Sequence, residues 1–226
     1  MVRKLFHFGL LLVLAPALCA LAYEAGLFLL ANGRPILRNW ATYGFVAYGL
    51  VYLLIPPCLI NFLEIFEHEL GHAVAGLFLL QRVEKFTVDS PKRSGEVITA
   101  PGSLFLISLA PYFLPVFTLP LLVVRPVVFP SMEKIVDLLI GVSLGFHYMG
   151  LAREFRIQQM DISRYGLLFS LGVTAAMNLI LLVIIFSFCL EQYAQIGAYF
   201  RHSLARMPGF YRLAWRLVLQ VLGRWL

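Results

Sequence analysis

The sequence predicts an all-α integral membrane protein with about six transmembrane helices, a short β-hairpin and a C-terminal amphipathic helix. Three observations predict it. Apolar residues make up 61% of the 226 positions and charged residues only 13%, where soluble domains sit near half and a quarter. The apolar residues fall into runs of about 20, the length that crosses a bilayer. Polar character is confined to short connections and to an arginine-bearing end. The chain divides into N-terminal membrane helices (1–57), a membrane core (58–190) and a basic amphipathic tail (191–226). The net charge of +6 suits anionic lipid headgroups. No nucleic-acid motif is present, so the expected partners are the lipid bilayer and a membrane protein or peptide.

The opening, MVRKLFHFGLLLVLAPALCALA, has the basic start and apolar stretch of a signal peptide. Its apolar character continues through Leu30, so a retained first helix is expected. Residues 32–38 are expected to form a short polar loop. Residues 39–55 are the second run, ended by Pro56-Pro57, a pair that a helix interior does not tolerate. The chain there either turns back or kinks into the third run, residues 58–80.

That third run, CLINFLEIFEHELGHAVAGLFLL, carries Glu64, Glu67, His68, Glu69 and His72 in its middle. A charge at the bilayer centre costs roughly 2.5–3.5 kcal/mol on insertion scales, so these groups need something to hold them. Residues 81–101 then alternate polar and apolar around SPKRSG, which predicts a β-hairpin. Its edge is placed for an extended peptide to join by main-chain hydrogen bonds. Residues 102–124 read as a further span interrupted by Pro111, Pro115 and Pro120. Residues 135–151 span with Asp137 and His147 embedded, and 165–190 span with Asn178 as interhelical hydrogen-bond glue. In the tail, Arg212, Arg216 and Arg224 recur at multiples of four on an apolar helix. Such a stripe suits a helix lying in the membrane interface. The three cysteines, in apolar runs, form no metal or disulfide pattern.

The order His68-Glu69-Leu70-Gly71-His72 is H-E-x-x-H, a pattern that binds zinc on one helix face. Residues i and i+4 lie about 5–6 Å apart on a helix, so two imidazoles can grip one ion. Glu69 projects about 100° further round, placed to take a proton from a metal-bound water. Catalytic zinc sites add a third protein ligand, and His147, Glu154 and Asp161 are the candidates. His72 lies about 12 Å from the 81–101 side at 1.5 Å per residue. Two spans separate that loop from loop 152–164, so both loops face one side. Asp161 and His147 are then on the near side, and Asp137 is on the far side.

HELGH in a membrane helix, followed by an Asp at the head of a later helix, resembles the site-2 protease family of intramembrane zinc metalloproteases. The resemblance covers roughly residues 58–190. It implies His68, His72 and Asp161 as zinc ligands and Glu69 as general base. Asp161 departs from the family pattern, since it stands in QQMDISRYG and not in an L-D-G context. The function implied is a Zn2+-dependent endopeptidase acting on membrane-associated chains. Two other readings are a prenyl-protein-type metalloprotease with Glu154 as third ligand, and an inactive relative that binds membrane partners. Arg82, Lys85, Lys92, Arg93, Arg153, Arg156 and Arg164 lie on the zinc side. The other side has Arg125, Lys134 and, near a span end, Arg201 and Arg206. This balance tips the zinc side toward the cytoplasm of a cell (inner) membrane.

Overall fold

A computed structural model describes residues 2–89, 94–99, 104–155 and 159–222. The chain is mostly helical. Helices α1 (Val2–Ala31), α2 (Gly33–Arg38), α3 (Trp40–Tyr52) and α4 (Pro57–Phe78) precede a hairpin of β1 (Val83–Asp89) and β2 (Ser94–Thr99). Helices α5 (Phe105–Leu109), α6 (Thr118–Val124), α7 (Glu133–Glu154), α8 (Met160–Tyr165), α9 (Leu167–Cys189) and α10 (Tyr193–Leu222) follow. The hairpin expected after the H-E-x-x-H helix is present, antiparallel, with Phe86 opposite Val97 and Val88 opposite Gly95. Its turn, residues 90–93, lies outside the described residues, as do Arg156, Arg224 and Trp225.

Among the described residues, three helices are long and apolar enough to cross a membrane: Gly9–Ala31, Glu133–Glu154 and Leu167–Cys189. The expected count of about six does not emerge as six such helices, for local reasons. Helix α3 has only 13 residues. Helix α4 has 22 but carries three glutamates. The stretch expected to span over 102–124 is broken into α5, a 3-10 turn at Ala110–Tyr112, and α6. Pro111, Pro115 and Pro120 each remove a backbone donor there. Broken backbone at membrane depth survives where protein surrounds it. Here Ile107, Leu109, Ala110 and Tyr112 are buried, and Asn178 Nδ2 donates to Tyr112 O at 2.9 Å. Asn178 thus links α9 to the break, the gluing role expected of it.

Helix α3 lies parallel to α7 at very short range. A Cβ on Gly44 would overlap the Leu138 carbonyl, and one on Gly141 the Ala41 carbonyl. Small residues allow this approach, which dispersion forces reward in lipid. After Pro56-Pro57 the chain changes direction and does not extend α3. Glu64 packs on Gly150 and Glu67 reaches back toward His147 at 3.4 Å, so α4 crosses α7. At the far end Arg125, buried, meets Asp137 at 2.7 Å and Glu191 at 3.2 Å. Asp137 therefore has a structural partner remote from H-E-x-x-H.

The tail forms the long helix α10, which packs along α1. Tyr199 Oη donates to Leu21 O at 3.0 Å and Tyr211 Oη to Val13 O at 2.9 Å, so the two run antiparallel. Glu24, buried in α1, is paired with Arg206 of α10. A charge in the first span is thereby met by a cation from the opposite end of the chain.

Candidate metal centre

Helix α4 sets His68 and His72 on one face, one turn apart, with ring centroids 5.1 Å apart. Each imidazole is held by its Nδ1. His68 Nδ1 lies 2.8 Å from Glu154 Oε2, and His72 Nδ1 lies 2.8 Å from Ile107 O. The Ile107 carbonyl can only accept, so His72 Nδ1 carries the hydrogen there, and the Glu154 carboxylate is the matching acceptor for His68 Nδ1. Nε2 is then the nitrogen of each ring that is turned to the cluster and would meet a metal.

Those two Nε2 atoms turn toward one carboxylate. Asp161 Oδ2 is 3.7 Å from His68 Nε2 and 3.4 Å from His72 Nε2. One donor atom from each of the three residues falls within 4.8 Å of the others, and this is the one such group among the described residues. Ligands on a tetrahedral zinc with bonds of about 2.0–2.1 Å stand about 3.3 Å apart. The donor set and its spacing therefore fit a single divalent ion with room for water.

Local structure explains how Asp161 comes to be there. It sits in the first turn of α8, not at the N-cap, which is Gln159. Ile162 and Tyr165, at 0% and 4% exposure, plug α8 into the core formed by the broken segment and α9. Gly166, with φ of 93°, makes the corner into α9, a conformation that L side chains rarely adopt. Burial opposes the charge on Asp161, yet the adjacent His68 and His72 imidazoles hold its carboxyl well below the usual carboxylate range.

Glu69 is buried and stands against β2, where Gly95 leaves space for its carboxylate. A cavity of about 280 Å³ opens over the group, lined by His68, Glu69, His72, Asp161 and the β2 residues Gly95, Glu96 and Val97, with Gln159 and Met160. The hairpin is thus one wall of the site and is pinned to α4 by Phe86 against Phe66, at 5.8 Å.

The other two candidates for third ligand are elsewhere. His147 is buried and faces Glu67. Glu154 touches His68 from the side opposite the donor cluster. Two contacts escaped the sequence reading: Glu154 as acceptor for His68, and the Ile107 carbonyl as acceptor for His72. The second had a signal. In an α-helix the Ile107 carbonyl would take the N–H of residue 111, and Pro111 has none.

No curated protein and no solved structure matches the chain. The family model for Peptidase M50B-like proteins matches residues 40–206, a stretch that includes all of α4, the hairpin and α8. With that match over most of its length, the chain belongs to the Peptidase M50B-like family, a site-2 protease family with a membrane metalloprotease-like function.

Proposed function

We propose that this protein is a zinc-dependent endopeptidase that hydrolyses peptide bonds of membrane-associated chains. The observation that carries the reading is the convergence of His68 Nε2, His72 Nε2 and Asp161 Oδ2 beside Glu69 in one cavity. Bound there, zinc would polarise the scissile carbonyl and lower the pKa of a coordinated water. His68, His72 and Asp161 are the ligands in this reading. Glu69 takes the proton from the attacking water and returns it to the leaving amine. The burial of Glu69 against β2 keeps its carboxylate from turning out to solvent.

Peptide bonds are cut in extended chains, and the outer edge of β2 runs along the cavity at Gly95, Glu96 and Val97. A substrate strand joining that edge by main-chain hydrogen bonds would lie beside Glu69. The prenyl-protein-type alternative loses support from the Glu154 contact, because that carboxylate meets Nδ1 of His68 and not the metal-facing nitrogen. The lysines and arginines on the loops of this side favour a cytoplasmic-facing site in a cell (inner) membrane.

The test is Glu69→Gln in purified protein reconstituted with a membrane-anchored peptide reporter. Zinc content should stay near that of wild type while cleavage falls by at least about 10²-fold. Cleavage at the wild-type rate with zinc retained would remove Glu69 from the mechanism. A wild-type protein that holds no zinc would remove the reading altogether.

A further inference from the structure

We propose that Glu154 is a positioning residue for the metal centre: it fixes the tautomer and orientation of His68 without binding the ion itself. This rests on the reading that His68, His72 and Asp161 bind zinc. Glu154 Oε2 lies 2.8 Å from His68 Nδ1, while the donor cluster is built on the opposite nitrogen, His68 Nε2, 3.7 Å from Asp161 Oδ2. One imidazole therefore bridges two carboxylates, one of them a ligand and the other an orienter.

The placement of Glu154 is fixed from three directions. It ends α7, and the residue before it reaches the same face of α4. Arg153 Nη1 donates to Glu64 Oε2 at 2.8 Å and Nη2 to Asn61 Oδ1 at 3.0 Å. Asn61, Glu64 and His68 recur at intervals of three and four, so they form one stripe along α4. Two successive side chains at the end of α7 thus grip two successive turns of α4, one ending on a buried glutamate and the other on His68. The backbone carbonyl of Glu154 also accepts from Gln159 Nε2 at 3.0 Å, and Gln159 is the N-cap of the helix carrying Asp161. Glu154 consequently ties the helix of the two histidines to the helix of the acid. The arrangement also accounts for Glu64, a buried charge with no part in holding the ion.

The effect on zinc follows from the acceptor. A carboxylate behind an imidazole locks its rotation and makes the distal nitrogen a stronger donor, and loss of such a partner weakens metal binding by about 10–100-fold. His72 has only a neutral carbonyl in that position, so the two histidines are not equivalent. Removing Glu154 affects His68 alone.

The experiment measures zinc affinity of the full chain in detergent by competition with a chelating chromophore, together with the absorption spectrum of the cobalt form. Wild type is compared with Glu154→Gln, Glu154→Ala, His68→Ala and Asp161→Ala. Both Glu154 variants should keep one zinc per chain and the wild-type cobalt band positions. Glu154→Ala should bind about 10–100-fold more weakly. Glu154→Gln should fall between it and wild type, because the amide oxygen still accepts from Nδ1. Affinities of both variants within twofold of wild type would overturn the proposal. So would loss of stoichiometric zinc, with a changed cobalt spectrum, as in Asp161→Ala, since Glu154 would then be a ligand. The underlying reading fails separately, if His68→Ala and Asp161→Ala bind zinc as wild type does. The glutamine variant keeps the test valid if the alanine variant does not fold.

Discussion

Gly95 carries a constraint that its own strand does not impose. It pairs with Val88 in a regular ladder, where most residues fit. What excludes a side chain is Glu69, since a Cβ at this position would overlap the carboxyl end of that glutamate. The three nearest atoms all belong to the flexible end of the proposed general base. Gly95→Ala is therefore expected to leave zinc content and folding intact and to swing Glu69 out of place. Turnover of a membrane-anchored reporter should fall by about 10²-fold, the scale set by a displacement of an ångström at a reacting group. A wild-type rate in this variant would show that Glu69 has room that the packing denies it.

At the scale of elements, the protein gains its site by interrupting helices. Pro111 has no N–H to give the Ile107 carbonyl, which accepts from Ala110 N–H and has room for the His72 Nδ1 hydrogen as well. Gly166 separates α8 from α9, so that the short helix carrying Asp161 can lean toward α4 while Ile162 and Tyr165 hold it in the core. The same chain also contains ionic links that only fasten elements. Arg125 is 5% exposed and bridges Asp137 of α7 to Glu191 beyond α9. Asp137→Ala leaves that guanidinium buried without its closest partner, and breaking a buried pair costs about 3–5 kcal/mol. The expected result is a clearly lower unfolding midpoint in detergent with unchanged zinc affinity. Loss of zinc binding without loss of stability would contradict the separation of the two ends.

The whole molecule places a polar cavity among apolar helices, with the hairpin as one wall. Glu96 lies on that wall and is exposed. In a variant whose native cysteines are replaced, the proposed cytoplasmic-facing site predicts that Glu96→Cys reacts with a membrane-impermeant maleimide in inverted membrane vesicles and not in right-side-out ones. Labelling from the outside alone would reverse the proposed orientation. The antiparallel seating of α10 on α1 lets Arg206 meet Glu24, a charge that α1 alone would leave without a partner.

The sequence by itself determined what depends on near neighbours. Composition specified the membrane class, period-two alternation specified the hairpin, and the four-residue spacing put His68 and His72 on one face with Glu69 beside them. Those properties follow from the rise and pitch of a single element, so they can be read without a fold. Which distant group approaches the imidazoles was decided by the tertiary structure, and it is Asp161, the one that the family resemblance implied. Asp161, Glu154 and His147 were all admissible by residue type and depth, and helix packing separated them. It put Asp161 by the two Nε2 atoms, Glu154 behind His68, and His147 against Glu67. The number of uninterrupted spans and the partner of Glu24 were hidden for the same reason. Proline breaks, close glycine contacts and pairings across the length of the chain depend on what surrounds a segment, which local spacing does not record.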